Sequence, residues 1–199
     1  MNRAAALVVC IAVAACGPDF RPAARALAGA PPETHEPVID RRRTYFGGDT
    51  DRPRREWHVL ILPGGAEELH GKDSSWYSDG HLEYEHDFEH GEPTGLWRSW
   101  YPNGKPKSEA LFGKSQSGPM RWWYENGQLS SEGQAVNGVK DGVWTTWHPN
   151  GTKASQGSYV SGRREGAWTF WNDDGSHKES GEYRDDAKVG KWDYSSGGK

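Results

Sequence analysis

The chain is poor in the residues that build most cores and most active sites. It has two cysteines in 199 residues. From residue 71 to 199 there are nine leucines, isoleucines and valines, and no isoleucine. No segment carries the 3.6-residue apolar period of an amphipathic helix. A net charge of -4 without a basic stripe speaks against nucleic acid as a partner. No glycine-rich phosphate loop precedes a helix, no nucleophile elbow is present, and no acid pair is set in a recognisable cleft. The expectation is therefore a protein without catalytic residues or cofactor. What the chain has instead is 26 glycines and 11 tryptophans. Disordered chains are poor in aromatics, so much of this one must fold.

The first residues read as an export signal: Arg3, then an apolar run from Ala4 to Ala15 that is too short for a bilayer, which takes about 20 residues. It ends in Val13-Ala14-Ala15-Cys16, which resembles the lipobox of bacterial lipoprotein signals. The resemblance implies cleavage before Cys16 and acylation of that residue. Cys10 would leave with the signal, so disulfides, thiol catalysis and cysteine-ligated metals are excluded. Gly17 follows the cysteine where inner-membrane retention usually shows aspartate, which points to the outer membrane. Residues 16–56 mix proline, alanine and charge without period, eight arginines against seven acids over 17–56, and are expected to be a disordered, lipid-anchored linker. Arg41, Arg42 and Arg43 within it read as solvated, or as a contact to anionic headgroups. The folded domain is expected over 57–199, opened by the aliphatic run Trp57–Leu62.

That domain is periodic. Gly80, Gly104, Gly127, Gly151 and Gly175 stand 23 or 24 residues apart, each after Asp or Asn. Asn-Gly and Asp-Gly are strong hairpin signals, and the reading here is a two-residue type I′ turn with positive φ at both positions. Gly95, Gly118, Gly142, Gly166 and Gly190 form a second series, and Gly133, Gly157 and Gly181 a third. Trp97, Trp144, Trp168 and Trp192 recur in step, with Met120 once in their place. Trp76, Trp100, Trp123, Trp147 and Trp171 form another row. Such agreement predicts an all-β, single-layer antiparallel meander of repeated hairpins with a period of about 24 residues, each hairpin leaning on the next.

The pattern Trp-Tyr-x-Asn-Gly, followed by Gly-x-Tyr-x-x-Gly-x-x-x-Gly-x-Trp, resembles the bacterial variant of the MORN repeat (membrane occupation and recognition nexus), of the antitoxin-like YwqK type, over residues 71–199. The departures are Met120 for Trp, a shorter loop at 113–118, and His86 and Ala110 where later units have glycine. The resemblance implies a β-repeat platform for contacts with a protein or a membrane.

With 20 aromatics from 71 to 199, the array must build its core from rings. Each buried ring removes about 150–250 Å² from water. Yet Trp144 and Trp147, Trp168 and Trp171, and Trp97 and Trp100 are three residues apart, and a regular strand points such pairs to opposite faces. One row can therefore remain as a partner surface, with Trp97, Trp100, Trp123, Trp144, Trp147, Trp168 and Trp171 as its candidates. A bulge that turned both rings inward would remove it. The alternative is an aromatic-cage module binding choline or an envelope glycan. The run His81–His90 is the candidate metal site, but its alternation sends Glu83, Glu85, Asp87 and Glu89 to one face and His86 and His90 to the other, a poor coordination sphere. From residue 57 onward 15 basic and 21 acidic residues, a charge of -6, favour a basic partner or solubility over anionic lipid. Membrane contact then falls to the anchor.

Overall fold

A computed structural model describes residues 37–47, 51–112 and 117–195. It is all β. The strands are β1 (Val38–Tyr45), β2 (Pro53–Ile61), β3 (Glu67–Trp76), β4 (Leu82–Glu89), β5 (Glu92–Trp100), β6 (Pro106–Phe112) and β7 (Gly118–Trp123). They continue with β8 (Leu129–Val136), β9 (Val139–Trp147), β10 (Lys153–Val160), β11 (Arg163–Trp171), β12 (His177–Arg184) and β13 (Ala187–Tyr194). All 13 lie in one sheet in chain order, each antiparallel to its neighbours. The single-layer meander expected from the repeat is what forms.

The sheet starts earlier than the aliphatic run suggested. Val38–Tyr45, placed in the linker on composition, is a strand, and so is Pro53–Ile61. No apolar face marks β1. It is held by its ladder to β2 and by charge: Arg41 and Arg43 both reach Glu56, and Arg42 grips Glu67 with two bonds of 2.9 and 2.6 Å. All three arginines are thus engaged in ion pairs within the sheet. Cys16, the signal and the linker as far as residue 36 lie outside the described residues.

The turns differ from expectation in an instructive way. The Asn-Gly and Asp-Gly sites are not type I′. Their glycines have positive φ, between 77° and 93°, but Asp79, Asn103, Asn126, Asn150 and Asp174 do not. Each glycine N–H donates to the carbonyl three residues back (Gly127 to Tyr124, 2.8 Å), and the flanking pair closes with Tyr124 N–H to Gln128 O. This is a three-residue loop, a turn followed by a left-handed residue. The asparagine side chain stays with its own loop: Asn126 Oδ1 accepts from Gln128 N–H at 2.9 Å. Type I′ turns sit at the opposite end of the hairpins, at His90-Gly91, Asn137-Gly138, Ser161-Gly162 and Asp185-Asp186, where both residues have positive φ. The connection at Ser161-Gly162 is thus one of the tightest: Val160 pairs directly with Arg163.

Two irregularities recur along the units, although β6 and β7 pair without a shift and Gly118 lacks the positive φ of its series. One residue is extra on the strand after each Asn-Gly loop, as between Lys153 and Ser155. Two are extra around the second glycine series, as where Ser158 pairs Glu165 while Gly157 pairs Trp168. Gly95, Gly142, Gly166 and Gly190 take positive φ there, which is the reason for glycine.

Candidate functional site

The two tryptophan rows part onto opposite faces. On the first face the rings touch one another in sequence: Tyr84, His86, Trp97 and Phe112 in the early units, then Trp122, Trp144, Tyr159, Trp168, Tyr183 and Trp192. Trp144 is 1% exposed and Trp168 4%, although the described residues form one sheet and no second layer. The third glycine series explains this. A Cβ on Gly133, Gly157 or Gly181 would stand 2.2–2.4 Å from the indole of Trp144, Trp168 or Trp192. The indoles lie flat over backbone where a side chain is missing, so the sheet covers its own face. Indole N–H groups are satisfied at the double bulges: Trp97 Nε1 donates to Asp87 O, Trp144 Nε1 to Gln134 O and Trp168 Nε1 to Ser158 O, at 2.9, 2.8 and 3.2 Å.

The departures from the repeat are matched pairs. Ala110 pairs with Met120, and the flexible thioether tolerates the Cβ that an indole would not. His86 stacks on Trp97 at 4.0 Å instead of lying beneath it. Trp122 fills the room left near Ala135 and Met120. Cations roof the rings: Lys140 Nζ lies 4.2 Å from the Trp144 ring centre, Arg164 4.0 Å from Tyr183 and Lys188 3.9 Å from Trp192. Their spacing of 24 was legible in the sequence, and only their position above the rings was not.

Trp144 and Trp168 are thereby removed from the candidate partner row, and Trp97 belongs to the same ring face. What remains is the other row. Lys153 lies 5.3 Å from the Trp171 ring and bonds Gln156 Oε1, and Gln156 bonds Thr145, so Trp171 shares the face opposite Trp144. Strand alternation puts Trp147 there too. Trp100 and Trp123 flank a concavity of about 270 Å³ with Arg98, Pro106 and Glu109. No bulge turned both rows inward. The second row is half-buried, and its backbone is tied repeat to repeat. Tyr77, Tyr101 and Tyr124 hydroxyls donate to Trp100, Trp123 and Trp147 carbonyls at 2.7–2.9 Å, and His148 Nε2 meets Trp171 O at 3.0 Å. Asn103, Asn126 and Asn150 amides donate to the next loop at Glu125, Pro149 and Asp173. The turn asparagines are staples between hairpins as well as turn formers, a role that no local signal announces.

The same opposite face holds exposed aliphatic side chains, Leu111, Val136, Val143 and Val160, at 42–57% exposure. Across its middle run Glu85, Arg98, Glu109, Arg121 and Glu132 in cross-strand register.

The run His81–His90 follows the expected alternation except at Glu83, the extra residue of the bulge, which reaches Ser75, the register partner of Tyr84. Tyr84 and His86 join the ring stack, Glu83 bonds Ser75, and Asp87 pairs Lys72. Burial lowers His86 to about 4, against a smaller opposing pull from Asp73, so the ring is neutral near pH 7. Burial likewise raises the Tyr84 phenol to about 12, with Asp73 adding to it. Asp73 itself is buried under a two-bond pair with Arg55 at 2.9 and 2.8 Å. Among the described residues no three metal-ligating side chains converge.

No curated protein matches the chain. The MORN repeat variant matches it in tandem at residues 93–113, 116–137 and 140–161. These spans hold the hairpins β5–β6, β7–β8 and β9–β10, and the same hairpin geometry continues on both sides of them. Three tandem matches to the MORN repeat variant thus fall on three consecutive hairpins of this sheet.

Proposed function

We propose that the protein is an exported lipoprotein, acylated at Cys16, whose repeat sheet is a non-catalytic platform for a protein partner. The observation that carries the reading is the division of apolar surface. Trp144 and Trp168 are spent in the core, whereas Trp100, Trp123, Trp147 and Trp171 lie with the four exposed aliphatics on the opposite face. An aromatic strip and an aliphatic strip on either side of a charged row have the composition of an interaction surface, where aromatics are enriched. The anchor would hold that surface at a membrane, with the outer membrane favoured by Gly17, and an antitoxin-like role is one form such a platform could take. A photo-reactive side chain placed at Val143 should cross-link a discrete protein in intact cells, whereas the same group at Lys188, on the ring face, should not. Equal yields from both positions would remove the assignment of the face.

A further inference from the structure

Trp100 and Trp123 stand on β5 and β7, two strand spacings apart. At about 4.7–4.9 Å per strand this is about 9.4–9.8 Å. One turn of a polyproline II helix, three residues at about 3.1 Å each, is about 9.3 Å. An extended proline-rich segment laid across the strands would therefore bring a proline to each indole in turn. The chemistry of the row suits such a ligand. No indole N–H of Trp100 or Trp123 has a hydrogen-bond partner among the described residues, and the one such N–H buried without a partner belongs to Trp192. The row thus offers donors to solvent. A proline-rich strand has no N–H at its prolines, makes no internal hydrogen bonds, and presents carbonyl acceptors. Between the two indoles the concavity is floored in part by Pro106 and walled by Arg98 and Glu109.

These two charges choose among ligand classes. Arg98 and Glu109 are opposite one another in register, yet neither forms an ion pair among the described residues, whereas the next pair, Arg121 and Glu132, closes at 3.3 Å. A neutral glycan can hydrogen-bond both through its hydroxyls but brings no countercharge to either. A peptide with an acidic and a basic residue between its prolines answers both. Sheet twist of about 20–25° per strand turns the row by about 40–50° from one tryptophan to the next, so a straight ligand can match one neighbouring pair of indoles.

We propose that the concavity between Trp100 and Trp123 binds a short polyproline II segment with proline at every third position and both charges between. The proposal rests on the platform reading of this face and narrows it. The test uses the acylated full chain in detergent and a synthetic peptide made of three Pro-Glu-Lys triplets. A peptide of the same composition with its prolines at irregular spacing is the control, and a β-linked glucose hexamer is the glycan arm, all followed by tryptophan fluorescence and calorimetry. The periodic peptide should saturate, the irregular one should bind at least about tenfold more weakly, and Arg98→Glu with Glu109→Arg, both on the surface, should weaken the periodic peptide by a similar factor while leaving the circular dichroism unchanged. Equal binding of both peptides, binding of the hexamer alone, or no binding at millimolar peptide to the folded protein would overturn the proposal. If cross-linking through Val143 still captured a protein in that event, the platform would stand and only its ligand class would fall.

Discussion

Gly157 is the position where one methyl group should do most damage. Its strand pairs it with Trp144 on one side and Trp168 on the other, and a Cβ would come 2.2 Å from Trp168 Cδ2. Ordinary contact begins at about 3.4 Å, so the indole must withdraw by about 1 Å (3.4 less 2.2). Trp168 is 4% exposed and wedged among Tyr159, Phe170 and Tyr183, so it has nowhere to go. Overpacking costs about 1–3 kcal/mol. The Nε1 bond to Ser158 O, at 3.2 Å, would be lost with the shift and adds about 1 kcal/mol. Gly157→Ala should therefore destabilise by about 3 kcal/mol, which for a domain of this size lowers Tm by about 6–12 °C. The second unit suggests the remedy, because there alanine faces methionine at Ala110 and Met120. Trp168→Met alone should cost about 2–4 kcal/mol as a large-to-small change. In the Trp168→Met background, Gly157→Ala should cost less than about 1 kcal/mol, a coupling of about 2 kcal/mol. Urea unfolding followed by far-UV circular dichroism measures all four proteins. A neutral single substitution, or strict additivity, would refute the claim that the glycines exist to seat the indoles.

The remaining predictions test other joints. His86 is held near 4 by burial while an unfolded histidine titrates near 6.5, so the unfolded chain binds the proton first as pH falls. Its contribution is intact above about pH 6.5, is lost between there and about 4, and is at most about 3 kcal/mol; His86→Phe should flatten that part of the stability profile. Asn126→Ala removes the bonds to Gln128 N–H and Pro149 O and should cost about 1–2 kcal/mol, more than removal of a turn former alone, as read from denaturant midpoints. Ser161→Asn places asparagine before Gly162 in a type I′ turn, where Ser161 has a φ of 49°, and should stabilise by about 0.5 kcal/mol; a loss of stability would show that the turn has been misassigned. Cys16→Ala should abolish acyl labelling and release the protein from membranes, and retention without lipid would refute the anchor.

Much of the fold was legible because its physics is local and repeated. Five residue series agreed on one period, and the scarcity of Leu, Ile and Val left rings as the core material. The opposite-face argument for Trp144 and Trp147 needed alternation and nothing more. The misread parts depended on partners distant in sequence. Asn126 looks like a type I′ residue until its amide is seen to bridge to Pro149 of the next hairpin, 23 residues on. Val38–Tyr45 looks like linker because its stabilising partners, Glu56 and Glu67, belong to other strands. Met120 and Ala110 look like independent lapses until register sets one beside the other.

By itself, then, the order of residues determined that the chain stacks hairpins of one length and glues them with indoles, because turn chemistry and strand alternation act over a few neighbouring positions. Which indoles stay accessible was decided in the assembled sheet. There a missing side chain on one strand becomes the seat for a ring on the next, and a lysine four residues before a tryptophan becomes its roof.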